Sequence, residues 1–180
     1  EQLTPIRDRL LAMPQVKRIG WAMNMPWNCQ TNGVQEKGSG DEPVSSWTFY
    51  SAMDTTCMSM LGFETVEQYC APEDGKHYIA EETRDRYGIS ADNPNVGGQI
   101  SGTASYPVCG VIKDYRSFNP VDGNSMADGH NIIAVMMNPN RAAFMMVELS
   151  EEGMEDMDES IRQMQETCRA VTKEAYGLEK

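Results

Sequence analysis

The residues of this chain best equipped for chemistry fall in one short run, "YPVCGVIKDYRSF", which sets Cys109 close to Lys113 and Asp114. A cysteine becomes a nucleophile when a base takes its proton or an electropositive setting favours the thiolate. In an extended chain Cys109, Val111, Lys113 and Tyr115 share one face, and Val108, Gly110, Ile112, Asp114 and Arg116 share the other. At the usual rise per residue Lys113 then stands about 13 Å along the strand from Cys109. Cys109 itself sits among valines and a glycine, and His77 could serve as its base only if the fold brought the two together. The half "VCGVI" is apolar on both faces, as in a strand covered on both sides. The charged half that follows marks where the strand leaves its cover. The run is therefore expected to be framework, with no catalytic residue in it. A thiol enzyme using Cys109 is the competing reading.

Other constellations are weaker. The chain has no G-x-x-x-x-G-K-[ST], no G-x-S-x-G and no H-E-x-x-H motif. The glycines of "DNPNVGGQISG" precede no helix, so they read as a loop rather than a phosphate cradle. "VDGNSMADGH" offers Asp122, Asn124, Asp128 and His130, but not at the spacing of an EF-hand loop, which ends in a glutamate. The five cysteines, Cys29, Cys57, Cys70, Cys109 and Cys168, show no C-x-x-C pair, and neither His77 nor His130 adjoins one. No metal and no cofactor is expected. The odd cysteine count excludes complete pairing within the chain, and which pairs form is left open. Most of the 14 methionines fall in segments that read as strand or helix, where they fill a core. The exception is "WAMNMPW", where Trp21, Met23, Met25 and Trp27 crowd one strand end. An apolar tip there is the candidate interaction surface.

The elements that must position these residues follow from patterning. "LTPIRDRLLAM" puts Leu3, Ile6, Leu10 and Met13 on one helical face, with Thr4 and Pro5 suited to its start. "QVKRIGWAM" reads as a strand, and 28–43 as a polar loop. "VSSWTFYSAM" is a strand, followed by a short helix capped by Asp54 and closed at Gly62. "KHYIAEETRDRYGI" is a strand entering a helix closed at Gly88. Two apolar runs, "NIIAVMM" and "AAFMMVEL", flank "NPNR", which signals a hairpin turn. Last, Met154, Met157, Ile161, Met164, Cys168, Val171 and Ala175 recur every three or four residues. They predict one amphipathic helix, about 30 Å long, laid on the sheet or else on a partner helix.

At 180 residues the chain suits one domain or two small lobes. A net charge of −12 disfavours nucleic acid and anionic lipid as partners. No run approaches the length of a membrane span, and the start "EQLTPIRDRL" lacks an initiator Met or a signal peptide, so an excised piece is expected.

In this order the motifs resemble the extracytoplasmic core domain of MacB/FtsX-like ABC transporter permeases. "IRDRLLAMPQVKRIGWAMNMP" looks like that family's opening helix, first strand and closing proline. "FYSAMDTTCMSMLGF" is similar to its strand and short helix. "YIAEETRDRYGI" with "NPNVGGQI" resembles its strand, helix and following loop. "YPVCGVIKDYRSF" is close to its Val-x-Gly-Val-Val-Lys-Asp-Phe strand. The resemblance implies an α+β, two-lobed periplasmic core. Residues 1–43 and 106–180 would form an α/β lobe, and 44–105 a smaller inserted lobe. It also implies a non-enzymatic domain on the outer side of the cytoplasmic membrane, coupled through transmembrane helices to a cytoplasmic ATP-binding subunit. Pairing as a homodimer or pseudo-dimer, and contact with a periplasmic or outer-membrane partner, belong to the same picture. The outputs would be export or efflux, lipoprotein release, or activation of an envelope hydrolase. The alternative is a free-standing extracytoplasmic ligand-binding module built around the Trp-Met tip.

Overall fold

A computed structural model describes residues 3–36, 44–96, 106–115 and 129–177. In chain order the elements are α1 (Thr4–Leu11), β1 (Val16–Asn24), β2 (Gln30–Glu36), β3 (Val44–Met53), α2 (Thr55–Met60), β4 (Thr65–Gln68) and β5 (His77–Ala80). There follow α3 (Glu81–Tyr87), β6 (Val108–Ile112), β7 (Gly129–Val135), β8 (Phe144–Leu149), α4 (Glu151–Glu155) and α5 (Met157–Tyr176). The strands make one mixed sheet in the order β4-β6-β5-β7-β3-β1-β8, with β2 also paired to β3. The β3–β7 and β5–β6 pairs are parallel, and the other pairs antiparallel.

Strand alternation sorts the apolar side chains onto two faces. On one face, α2 covers Ala22, Met53, Tyr78, Ile112, Ile133 and Val135, with Cys57 and Met58 reaching down from the helix. On the other, Ile79, Val108, Val111 and Ile132 pack with Tyr87 of α3. Further along that second face, Ile19, Trp21 and Met145 meet Leu10 of α1 and Met164 and Cys168 of α5. The approach of α2 to β1 is close enough to require glycine at Gly20. A Cβ there would lie 2.5 Å from the Cys57 nitrogen, a backbone atom that cannot swing aside.

Local signals landed where the chain's own chemistry makes them. Asp54 caps α2 by accepting from the Cys57 N–H at 2.7 Å, and the same Oδ1 accepts from the Trp21 N–H at 3.1 Å. α3 ends on Gly88, whose φ is 60°. At the start of α1, however, the cap position is Leu3, with no side-chain cap, and Thr4 is already helical.

Four further expectations change. Part of the polar segment expected as loop is strand: β2 pairs in register with β3 from Gln30↔Tyr50 to Glu36↔Val44. A strand needs a partner's N–H and C=O groups more than it needs apolar residues, and β3 supplies them. Second, β4 is an edge strand in a segment with no strand signal. Third, "NPNR" closes no hairpin. Both edges of β7 are taken by β5 and β3, so β8 pairs with β1 instead. Pro139–Arg141 forms a 3-10 turn started by Asn138, whose side chain accepts from the Asn140 N–H at 3.0 Å. Fourth, the long C-terminal helix is two helices. Ser150 caps α4 by accepting from the Gly153 N–H, and its own N–H donates to the Gln15 carbonyl at 2.8 Å. The chain then breaks at Asp156 (φ −137°, ψ 81°), which caps α5 by accepting from the Glu159 N–H at 3.1 Å.

The strands of 44–105 share this sheet with those of the chain ends. β3 sits between β1 and β7, and β5 between β6 and β7. The core of "VDGNSMADGH" and most of "NVGGQISG" lie outside the described residues.

Candidate functional site

Register decides the chemistry of β6. Partners run His77↔Val108 and then Tyr78↔Gly110, so Cys109 is an extra residue, a β-bulge. The bulge moves Cys109 off the face expected for it. It packs with Ile112, Tyr78 and Cys57 under α2, while Val108 and Val111 face α3. Its thiol donates to the His77 carbonyl at 3.3 Å. The His77 ring lies on the opposite face, edge-on to Tyr106 at 4.9 Å between ring centroids, with Nδ1 3.2 Å from the Pro107 carbonyl oxygen. Thiol and imidazole are therefore separated by the sheet.

Electrostatics agrees with the geometry. Burial pushes the Cys109 thiol up to about 11 and holds the His77 imidazole below its ordinary value. A thiol held protonated, with no base beside it, is poorly suited to attack an incoming substrate at neutral pH. Lys113 stands in solvent, paired with Glu64 at 2.7 Å. Asp114 accepts from the Glu82 N–H at 2.9 Å, at the first turn of α3. The three residues that looked like one site hold three different parts of the framework. Among the described residues no group of three or more His, Cys, Asp or Glu side chains could hold a metal ion.

The Trp-Met tip is divided by the sheet. Trp21 is 4% exposed and Met25 8%, while Trp27 is 65% exposed. Trp21 and half-buried Met23 face α1 and α5, whereas Met25 faces α2. Of the four, Trp27 alone is in solvent, and the cause is a break in strand pairing. Between the pairs Asn24↔Ala52 and Gln30↔Tyr50, residues 25–29 stand opposite the single residue Ser51. Asn24 closes the gap: its Oδ1 accepts from the Ala52 N–H at 2.8 Å and its Nδ2 donates to the Tyr50 carbonyl at 2.9 Å. With those backbone groups satisfied, Pro26–Asn28 turns out of the sheet as a 3-10 turn and carries Trp27 outward. Asn24 was not singled out from sequence. An asparagine two residues before a proline was its available signal.

A second apolar surface lies at the sheet edge next to β1. β8 is the terminal strand of the sheet. Between it and α5 runs a half-open groove of about 500 Å³, lined by Met145, Val147, Ile161, Met164 and Cys168. Met154, Met157 and Ile161, expected against the sheet, are 61%, 50% and 40% exposed, whereas Val171 further along α5 is 5% exposed. Among the described residues no helix is long and apolar enough to cross a membrane.

This mixed sheet with its helices has the fold of MacB-like periplasmic domains. The periplasmic region of MacB from Actinobacillus actinomycetemcomitans aligns at a TM-score of 0.54 and 12% identity, covering 92% of this chain and 72% of that one. The extracellular domain of the noncanonic ABC-type transporter YknZ from Gram-positive bacteria aligns at a TM-score of 0.50 and 10% identity, covering 91% of this chain and 82% of that one. At such identities the likeness is one of fold. No family model and no curated protein sequence matches the chain.

Proposed function

We propose that this chain is the extracytoplasmic domain of an ABC transporter permease and transmits force rather than performing catalysis. The observation that carries the reading is the fold shared with the periplasmic region of MacB over 92% of the chain. The ordered run of four sequence stretches that resemble the same family supports it independently. ATP hydrolysis belongs, on this reading, to a cytoplasmic ATP-binding subunit. Transmembrane helices of the permease pass its conformational change to this domain, which works in a homodimer or pseudo-dimer. A sheet whose strands alternate between the two ends of the chain and its middle suits that task, because displacement of one strand is passed to its hydrogen-bonded neighbours.

Trp27 is the proposed contact residue for a periplasmic or outer-membrane partner. It is large, exposed and set on a turn held rigidly at its root by Asn24. Trp21, Met23 and Met25 anchor the strand from which that turn departs, on its two faces. Export or efflux is the output proposed first, with lipoprotein release as the alternative.

The test is purification of the full-length protein from detergent-solubilised membranes of its own cells. An ATP-binding subunit should co-purify, and a membrane-impermeant amine reagent should label exposed Lys113 in intact cells or spheroplasts. Recovery of the protein in the cytosol, shielded from that reagent, overturns the reading. Replacing Trp27 by Ala should leave folding and ATPase co-purification unchanged while lowering transport. Unchanged transport would remove Trp27 from the proposal.

A further inference from the structure

Cys70 is an exposed residue two positions past the end of β4, and Cys109 is fully buried in β6. The two are joined by the backbone: the Cys70 N–H donates to the Cys109 carbonyl at 3.2 Å, and the Tyr69 N–H donates to the same oxygen at 2.8 Å. This shared N–H···O contact makes Cys70 and Cys109 backbone neighbours where β4 ends against β6, and disulfides span Cα separations of about 4.4–6.8 Å. Gln68 fixes the geometry further. Its Nε2 donates to both the Cys70 and the Cys109 carbonyls, and its Oε1 accepts from the Tyr78 hydroxyl at 2.9 Å. Burial first and then the neighbouring Cys70 raise the Cys109 thiol, as two nearby thiols would.

We propose that Cys70 and Cys109 are a disulfide-forming pair, closed by exchange with a disulfide-bearing oxidant such as oxidised glutathione or a thiol oxidoreductase. The Cys70 thiolate attacks one sulfur of the oxidant, forming a mixed disulfide and expelling one thiolate. Cys109 then attacks the Cys70 sulfur, its proton passing through solvent to the departing thiolate. The Cys70–Cys109 bond forms, the mixed disulfide breaks, and the second thiolate leaves with the electron pair. The protein is oxidised by two electrons, and one oxidant disulfide is reduced to two thiols.

Exposure sets the order of events. Only Cys70 of this pair meets a soluble oxidant, and Cys109 needs to reach no further than its neighbour. Cys57 shares the core around Cys109 but is buried itself, so it cannot make the first exchange. Closing the bridge ties the polar edge strand β4 to β6 and spans a long loop, the case in which a cross-link most restricts the unfolded chain. The oxidising compartment that would supply the reaction in the cell rests on the extracytoplasmic reading above. The bridge itself is a property of the purified chain, so the two stand or fall separately.

The test is incubation of the purified chain with oxidised glutathione, followed by acid quench, alkylation and peptide mapping. The expected result is a cross-linked peptide joining Cys70 to Cys109, three of the five cysteines alkylated, and a thermal midpoint raised by several degrees and reversed by dithiothreitol. Cys109→Ser should stop at a stable glutathione adduct on Cys70, and Cys70→Ser should leave Cys109 unmodified. A lasting adduct on Cys70 in the unmodified chain, or a cross-link from either residue to another cysteine, overturns the proposal.

Discussion

The side chain of Asn24 takes the place of a strand peptide beside Ala52, whose N–H it binds at 2.8 Å while its own Nδ2 reaches the Tyr50 carbonyl. Those two bonds let five residues leave the sheet without stranding a backbone group. Asn24→Ala should therefore cost about 1–3 kcal/mol in urea unfolding and make the chain susceptible to proteolysis near Trp27. A variant with unchanged stability would show that the turn is held by other contacts.

Gly110 faces a tighter constraint. A Cβ at this position would lie 2.7 Å from the Glu67 carbonyl oxygen and 2.7 Å from a Tyr78 ring carbon. The first is backbone of the neighbouring strand, so β4 must move to make room. Gly110→Ala should destabilise by about 1–3 kcal/mol, with faster hydrogen exchange concentrated in β4.

His77 should give the fold a pH dependence above the carboxylate range. Burial lowers its pKa in the folded state, so below its ordinary value of about 6.5 the unfolded chain binds more protons than the folded one. Its contribution is complete above that pH and is lost as pH falls toward the folded pKa. The thermal midpoint should drop between pH 7 and 5, and His77→Gln should flatten that drop. An unchanged slope in the variant assigns the effect to other groups.

The two ends of the C-terminal helix should respond unequally to charge. Met157→Lys, at a site 50% exposed, should change stability by less than about 0.5 kcal/mol. Val171→Glu puts a carboxylate where the side chain is 5% exposed and should lower stability by several kcal/mol or prevent folding. Equal responses would mean that Met157 is covered in solution.

What could be read from the sequence was what neighbours in the chain decide among themselves. Asp54 capping α2, Gly88 ending α3, the apolar run of β6 and the exit of Lys113 into solvent all depend on residues a few positions apart or on solvent. The framework role expected for "VCGVI" is of this kind, since an apolar run without a nearby base has little to do but pack. The ordered motifs carried the resemblance in fold for the same reason.

What remained for the tertiary structure was set by partners distant in sequence. "QTNGVQE" becomes a strand because β3 offers it hydrogen-bonding groups. β8 goes to β1 because β5 and β3 already flank β7. The face on which Cys109 lies was decided by one extra residue opposite His77 and Tyr78, which no alternation within β6 could reveal. Trp21 and Trp27, six residues apart and alike in composition, ended as core and surface because Asn24 found its partners on β3. Periodicity records which residues prefer burial, but register and strand order determine which of them obtain it, and both depend on contacts that only the folded chain brings together.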